Sequence, residues 1–383
     1  SVGVASSVLD IGDRPFYIND SDPFSSKKGN ITFSPAPLYP KILEGVSFVS
    51  INIFGSNTTS PIWNTILISL SSIAAVVINR LIYSSGRILA GDRCGLVSMC
   101  LYMLCPLTYL YTLSGGITIF VLLGNALVCN GVLQMVHVSN AGMSDKKLLQ
   151  PSFVMLLGLL MLSFLRPSSF IFVLVVVPYI FYLFSTSFTW LQPIVRFSFL
   201  TSLVFVAFLS LDQLISSLSY SQMAVKGFLS EPGLFFGFPR ELLREKITLL
   251  VDSPSVFEKL KGFVAFALWK FMDFVSGMAD IRDTHSATKF TSLFPFLLRV
   301  YNGFLYMYPL LICSFLSVFL SKKLLNNSGL IVLMISSFVA ISPSLMGVAM
   351  SRYLYMFFTP FILSASLVIV GLLRFEWSSL NSD

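Results

Sequence analysis

Four aspartates, Asp10, Asp13, Asp20 and Asp22, crowd the start of the chain. Carboxylates grouped this way can supply a general base for a hydroxyl, or ligands for a divalent metal ion. The same residues also suit a solvated loop, since Asp and Asn side chains bond their own backbone in turns. Asp280, Asp283 and His285 form a second acidic spot with loose metal-site spacing, and a solvated loop explains it more simply. Asp212, Arg166, Arg352 and Arg299 lie in or beside apolar runs. A charge there is costly to bury and marks function by default. An arginine at a membrane edge can hold a phosphate bidentately. It can equally snorkel to ordinary lipid phosphate. Two histidines, His137 and His285, cannot complete a Ser-His-Asp set. The five cysteines lack CxxC spacing, so neither a metal site nor a disulfide framework follows from them.

The elements that hold these residues are apolar. Of 383 residues, 55% are hydrophobic and 11% charged. A soluble domain carries roughly 25% charged residues. That excludes a soluble globular enzyme, a disordered chain, a disulfide-stapled secreted domain and an ordinary DNA-binding domain. The net charge of +7 then reflects Lys and Arg in cytoplasmic loops, not a nucleic-acid partner. A span needs roughly 20 apolar residues. Candidates are 62–82, 95–113, 116–137, 193–217, 294–320, 329–349 and 353–374. The apolar region 151–186 divides into two short spans at Leu165-Arg166-Pro167, because Pro starts a helix more readily than it continues one. The expected fold is an all-α polytopic membrane protein of about nine spans.

Four regions follow. Residues 1–60 form an external loop ending in an interfacial helix, Leu38–Phe54, which Lys41 and Glu44 mark as too polar to cross. Residues 61–217 hold transmembrane helices. Residues 218–293 form a second external loop with amphipathic helices over 239–251 and from about 255 to 276. Ser255 and Glu258 make a capping box for the latter, and Lys259, Lys261 and Lys270 give it a polar face. Residues 294–383 hold the C-terminal spans. Basic residues in the short loops 83–94 (Arg87, Arg93), 138–150 (Lys146, Lys147) and 321–328 (Lys322, Lys323) place those loops in the cytoplasm. With nine spans, both long polar segments then share the outer or lumenal side. The sequons at Asn19, Asn30 and Asn57 agree with that side.

Five short motifs occur in an order that resembles the type-C membrane glycosyltransferases, which use polyprenyl-phosphate sugars and include the protein O-mannosyltransferases and aminoarabinose transferases. Phe33-Ser34-Pro35-Ala36-Pro37-Leu38-Tyr39-Pro40 is similar to that family's Pro-Pro-Leu-Tyr-Pro segment, which ends a first external loop. Cys105-Pro106-Leu107-Thr108-Tyr109 is similar to its Pro-x-x-x-Tyr at a span end. Leu165-Arg166-Pro167 resembles its Arg-Pro. Ser351-Arg352-Tyr353 resembles its late Arg-Tyr. Ser253-Pro254-Ser255-Val256-Phe257 followed by Lys261 resembles its external Pro-x-x-Phe stretch. Asp13-Arg14-Pro15-Phe16-Tyr17 keeps the Asp and Tyr of the family's Asp-Glu-x-x-Tyr, with Arg14 in place of Glu. The hairpin Leu113-Ser114-Gly115-Gly116 lacks the second acid often found there. The family's first span has no counterpart, and a start at Ser1 without Met fits a missing leading helix.

The resemblance implies inverting transfer of a sugar from a polyprenyl-phosphate donor to a hydroxyl of a glycan, lipid or protein acceptor. Asp13, with Asp10 as understudy, would be the catalytic base. Arg352, Arg166 and Lys261 would hold the donor phosphate. Tyr17, Tyr39 and Tyr353 would line the substrate cleft. The resemblance fixes no cofactor, and a divalent metal is compatible with it. A bacterial cytoplasmic membrane is the expected setting, with the endoplasmic reticulum membrane as the alternative. Two other readings stay open. One is a transporter or flippase. The other is a non-catalytic membrane subunit that binds a lipid-linked sugar.

Overall fold

In lipid every backbone N–H and C=O must find a partner within the protein, and helices achieve this within one segment. The computed structural model accordingly consists of helices, with no strand among its described residues. It describes residues 38–55, 61–140, 145–165, 167–186, 193–230, 254–262, 301–320, 327–346 and 351–380, together with 264 and 297. In chain order the helices are α1 (Leu38–Phe54), α2 (Pro61–Ala90), α3 (Asp92–Leu104), α4 (Pro106–Ser114), α5 (Ile117–Asn140), α6 (Asp145–Ser163), α7 (Pro167–Thr186) and α8 (Pro193–Ser230). A π-helical segment, Tyr301–Met307, leads into α9 (Tyr308–Leu320). Then come α10 (Ser328–Met346), α11 (Ser351–Met356) and α12 (Thr359–Leu380).

Proline writes many of the starts. Pro61, Pro106, Pro167 and Pro193 each occupy the first position of a helix. There the missing N–H removes no bond within that helix, and the fixed φ already suits it. Asn327 starts α10 differently: its Oδ1 accepts the Leu330 N–H at 3.0 Å, an N-cap bond.

Among the described residues, five helices are long and apolar enough to cross a membrane, or six if the bent pair α3–α4 is one span. Three shorter apolar helices accompany them, over Leu148–Ser163, Ser328–Ile341 and Thr359–Leu373. Large apolar side chains such as Phe197, Phe208, Ile312 and Phe319 face outward. This is the build of a multi-pass integral membrane protein.

Helix α5 is the centre, with most of its residues buried. Its tightest partner is α6. A Cβ on Gly131 would lie 2.6 Å from Met155 Cβ, and one on Gly158 would lie 2.8 Å from the Gly124 carbonyl oxygen. Small residues let helix backbones approach where lipid leaves no hydrophobic drive for association. Polar bonds between helices add to this. Asn130 on α5 donates to Ser85 Oγ on α2 at 3.0 Å and accepts from Gln134 Nε2 at 2.7 Å. Ser98 on α3 donates to Ser366 on α12 at 2.8 Å. Ser163 pairs with Ser210 at 2.7 Å, and Ser314 with Ser364 at 2.6 Å.

Several expected boundaries move. The loop expected over 83–94 is a turn through Gly91 alone, whose φ of 88° places it in the left-handed region. Arg87 on α2 bridges it to Asp92 on α3 at 3.1 Å. Helix α8 continues to Ser230, past the expected loop start at 218. The expected single spans 95–113 and 353–374 are each broken, between α3 and α4 and between α11 and α12. The division of 151–186 at Leu165-Arg166-Pro167 is present, as is the α1 helix over Leu38–Phe54.

Candidate functional site

Four of the motif-bearing segments meet at one end of the bundle. The first bond is local to the backbone: Leu38 N–H donates to the Phe164 carbonyl at 3.1 Å. This ties the start of α1 to the turn after α6. Beside it, Tyr39 is fully buried and its hydroxyl donates to the Gly115 carbonyl at 2.8 Å. Gly115 has a φ of 63°, and a Cβ there would lie 2.6 Å from Leu67 Cγ. Only glycine suits both the left-handed turn and the close approach. The third tie comes from α11: the Tyr355 hydroxyl donates to Thr108 Oγ1 at 3.0 Å. The Tyr355 ring also packs on Tyr111, with centroids 5.2 Å apart. One residue beyond α11, Phe357 stacks on Phe172 of α7 at 5.4 Å. The hairpin after α4, the turn after α6, the first turns of α1 and the short α11 are therefore one packed assembly.

The broken span beneath this assembly follows a clear bonding scheme. Helices α3 and α4 meet at Cys105 with a bend of 60°. Pro106 has no N–H for the Tyr102 carbonyl. The break also redirects two neighbours. Cys105 N–H turns to the Tyr102 carbonyl at 3.3 Å, and Thr108 N–H turns to the Cys105 carbonyl at 3.1 Å. In a straight α-helix they would bond the carbonyls of Leu101 and Leu104. Those two carbonyls are satisfied by tyrosines instead. The Tyr306 hydroxyl donates to Leu101, and the Tyr301 hydroxyl donates to Leu104 at 2.9 Å. Thr108 Oγ1 adds a bond to the Tyr102 carbonyl at 3.1 Å. Both tyrosines come from the π-helical segment. On an α-helix residues five apart point about 140° away from each other, whereas π winding, with bonds spanning five residues, brings them onto one face.

Of the residues expected to act, Asp10, Asp13, Tyr17 and Arg166 lie outside the described residues. So does the second acidic spot, Asp280, Asp283 and His285. Arg352 and Tyr353 lie in the first turn of α11, and only their backbone is described. Tyr39 is an anchor between α1 and the Gly115 hairpin, with its hydroxyl engaged. Lys261 is exposed on the helical stretch 256–262, and its Nζ sits 4.5 Å from the Phe257 ring centre, a cation–π contact. The Lys259 N–H donates to the Ser255 carbonyl at 3.0 Å, so this helix starts where the Ser255 and Glu258 pair predicts.

The hydroxyl cluster of Thr108, Tyr301, Tyr306 and Tyr355 is absent from the sequence reading. Its signal is a proline after a span midpoint together with polar-tipped aromatics in another apolar run. No family model, no curated protein and no solved structure matches this chain.

Proposed function

We propose that this protein transfers a sugar from a polyprenyl-phosphate donor to an acceptor hydroxyl at the membrane surface. The observation that supports this reading most is the meeting of four motif-bearing segments, around Leu38–Tyr39, Thr108, Phe164 and Tyr355, at one end of the bundle. Counting the bent pair and the three shorter apolar helices as spans gives nine. With that count Gly91 and residues 141–144 and 321–326 share the cytoplasmic side, and the motif end faces outward in a bacterial cytoplasmic or endoplasmic reticulum membrane.

In this reading Asp13 takes the proton of the acceptor hydroxyl as its oxygen bonds the anomeric carbon. The bond from that carbon to the phosphate oxygen breaks, and polyprenyl phosphate leaves with the electron pair. Arg352, Arg166 and Lys261 offset its charge. Fixed cations in a water-poor site act most strongly on charge that develops in the transition state. Purified full-length protein in nanodiscs, given a labelled polyprenyl-phosphate sugar and mixed acceptors, tests this. Release of polyprenyl phosphate should fall at least 100-fold in Asp13→Asn, in the range for loss of a general base. Wild-type turnover in that variant removes Asp13 from the mechanism. No turnover by wild-type protein that nonetheless binds the donor favours the non-catalytic subunit, which Arg14 and the acid-free hairpin at Gly115 also suit.

A transporter is the second reading. It draws on the buried Asn125 and Asn130 of the central helix α5, since polar side chains at membrane depth mark transport pathways. Donor-dependent flux into proteoliposomes without sugar transfer would establish it instead.

A further inference from the structure

The bonds around Cys105 have a backbone alternative, and that alternative leads beyond the proposed chemistry. The Leu101 carbonyl can accept from the Tyr306 hydroxyl, as it does here, or from the Cys105 N–H, as in a continuous helix. The Leu104 carbonyl can accept from the Tyr301 hydroxyl, as here, or from the Thr108 N–H. At the 60° bend the Cys105 and Thr108 N–H groups turn to the carbonyls of Tyr102 and Cys105, so hydroxyls serve Leu101 and Leu104. In hydrocarbon an unmet carbonyl is costly, so each keeps a donor in either form. The bent form uses tyrosines, and the straighter form uses the backbone.

The tyrosines are themselves conditional. Tyr301 and Tyr306 reach one broken span from a segment wound as a π-helix. Rewinding it to α leaves them pointing about 140° apart, and a carbonyl at the break loses its donor. The segment runs directly into α9, which is joined to α12 through Ser314 and Ser364. On the other side, α4 carries Thr108, the acceptor of Tyr355, and leads to Gly115, the acceptor of Tyr39.

We infer that the π-helical segment Tyr301–Met307 and the broken span α3–α4 form a coupled two-state hinge. Its π state holds the span bent and the motif end of the bundle closed. Its α state releases the tyrosines, straightens the span toward an ordinary proline kink, and swings α4 away from α1 and α11. The far end of α4 moves by about 10 Å on a full swing, given its length. A single-residue change of winding is thereby converted into opening of the assembled end. The hinge does not depend on what that end binds or catalyses.

The test is a distance across the break. Spin labels replace Arg93 and Leu113, both exposed, in full-length protein in nanodiscs, with Cys100 and Cys313 changed to serine. The parent protein should give a short, bent distance. Tyr301→Phe with Tyr306→Phe should add population about 4 Å longer, from the rise of the two helices. Tyr306→Phe alone, the milder change, should shift part of the population the same way. Pro106→Ala returns an N–H for the Tyr102 carbonyl and should lengthen the distance without touching either tyrosine. Unchanged distances in both tyrosine variants overturn the inference, including the case where Pro106→Ala lengthens the distance and they do not.

Discussion

The pair α5–α6 and the pair α3–α4 meet the same constraint by opposite means. Both lie in apolar surroundings where every backbone group needs a partner. In α5 the ladder is uninterrupted, and stability against α6 comes from backbones brought together at Gly124, Gly131 and Gly158. In α3–α4 the ladder is broken at Cys105, and side chains from elsewhere fill the gaps: Tyr301, Tyr306 and Thr108. Close packing of backbones has one arrangement and resists change. Borrowed hydroxyls have an alternative, because the backbone N–H groups they displace are still nearby. A scaffold and a hinge can therefore be told apart by where their carbonyls find donors.

The largest effect should come from the scaffold. Gly158→Leu would drive a side chain into the Gly124 carbonyl and Leu127, and overpacking of this kind costs about 3 kcal/mol or more. Loss of monodisperse protein on size exclusion, or a large drop in thermal midpoint, is the expected outcome. Wild-type stability would show that α5 and α6 do not touch as described.

Thr108→Val should come next. It removes the donor to the Tyr102 carbonyl and the acceptor of Tyr355. A loss of about 2 kcal/mol is expected for two buried bonds left half-made. The signature is faster amide exchange over residues 101–110, with α5 and α6 unaffected. Uniformly faster exchange would erase the distinction between the two regions.

Ser366→Ala is milder. It removes a bond to Ser98, worth about 0.6 to 1.7 kcal/mol between membrane helices. A small fall in thermal midpoint with no change in distance across the α3–α4 break should follow.

Arg87→Gln is the smallest change. Its pair with Asp92 has both side chains more than half exposed, so at most about 0.5 kcal/mol is expected, vanishing in high salt. A salt-insensitive loss would mean that the Gly91 turn depends on this ion pair.

Much of the scaffold was legible in the residues. Apolar runs of span length located α2, α5, α7 and α8, and Pro167 gave the start of α7 because proline suits the first helical turn. Lys41 and Glu44 separated α1 from the spans, and they now form an exposed pair at 2.7 Å. The candidate site was legible only as a string of short motifs. Their order resembled that of a family, and the segments that carry Leu38–Tyr39, Thr108, Leu165-Arg166-Pro167 and Ser351-Arg352-Tyr353 were read from it without their contacts. The bonds that join them span up to 247 residues of sequence in the case of Thr108 and Tyr355, and no local pattern specifies such a partner.

Proline shows where the division falls. The chain places Pro151 and Pro178 inside apolar runs just as it places Pro106 and Pro360. Composition alone determined that these runs enter the membrane and that each proline leaves one carbonyl without its usual donor. It did not determine the consequence. Helices α6 and α7 run on through Pro151 and Pro178, while Pro106 and Pro360 stand in the first turns after breaks. Next to Pro106 the Tyr102 carbonyl is met locally by Cys105 and Thr108, but the neighbouring Leu101 and Leu104 carbonyls rest on Tyr306 and Tyr301, which lie some 200 residues away and are brought near by the packing of other helices. The missing N–H and its local replacement at the Tyr102 carbonyl are properties of the segment, whereas the donors to the two carbonyls freed by the bend are a property of the fold.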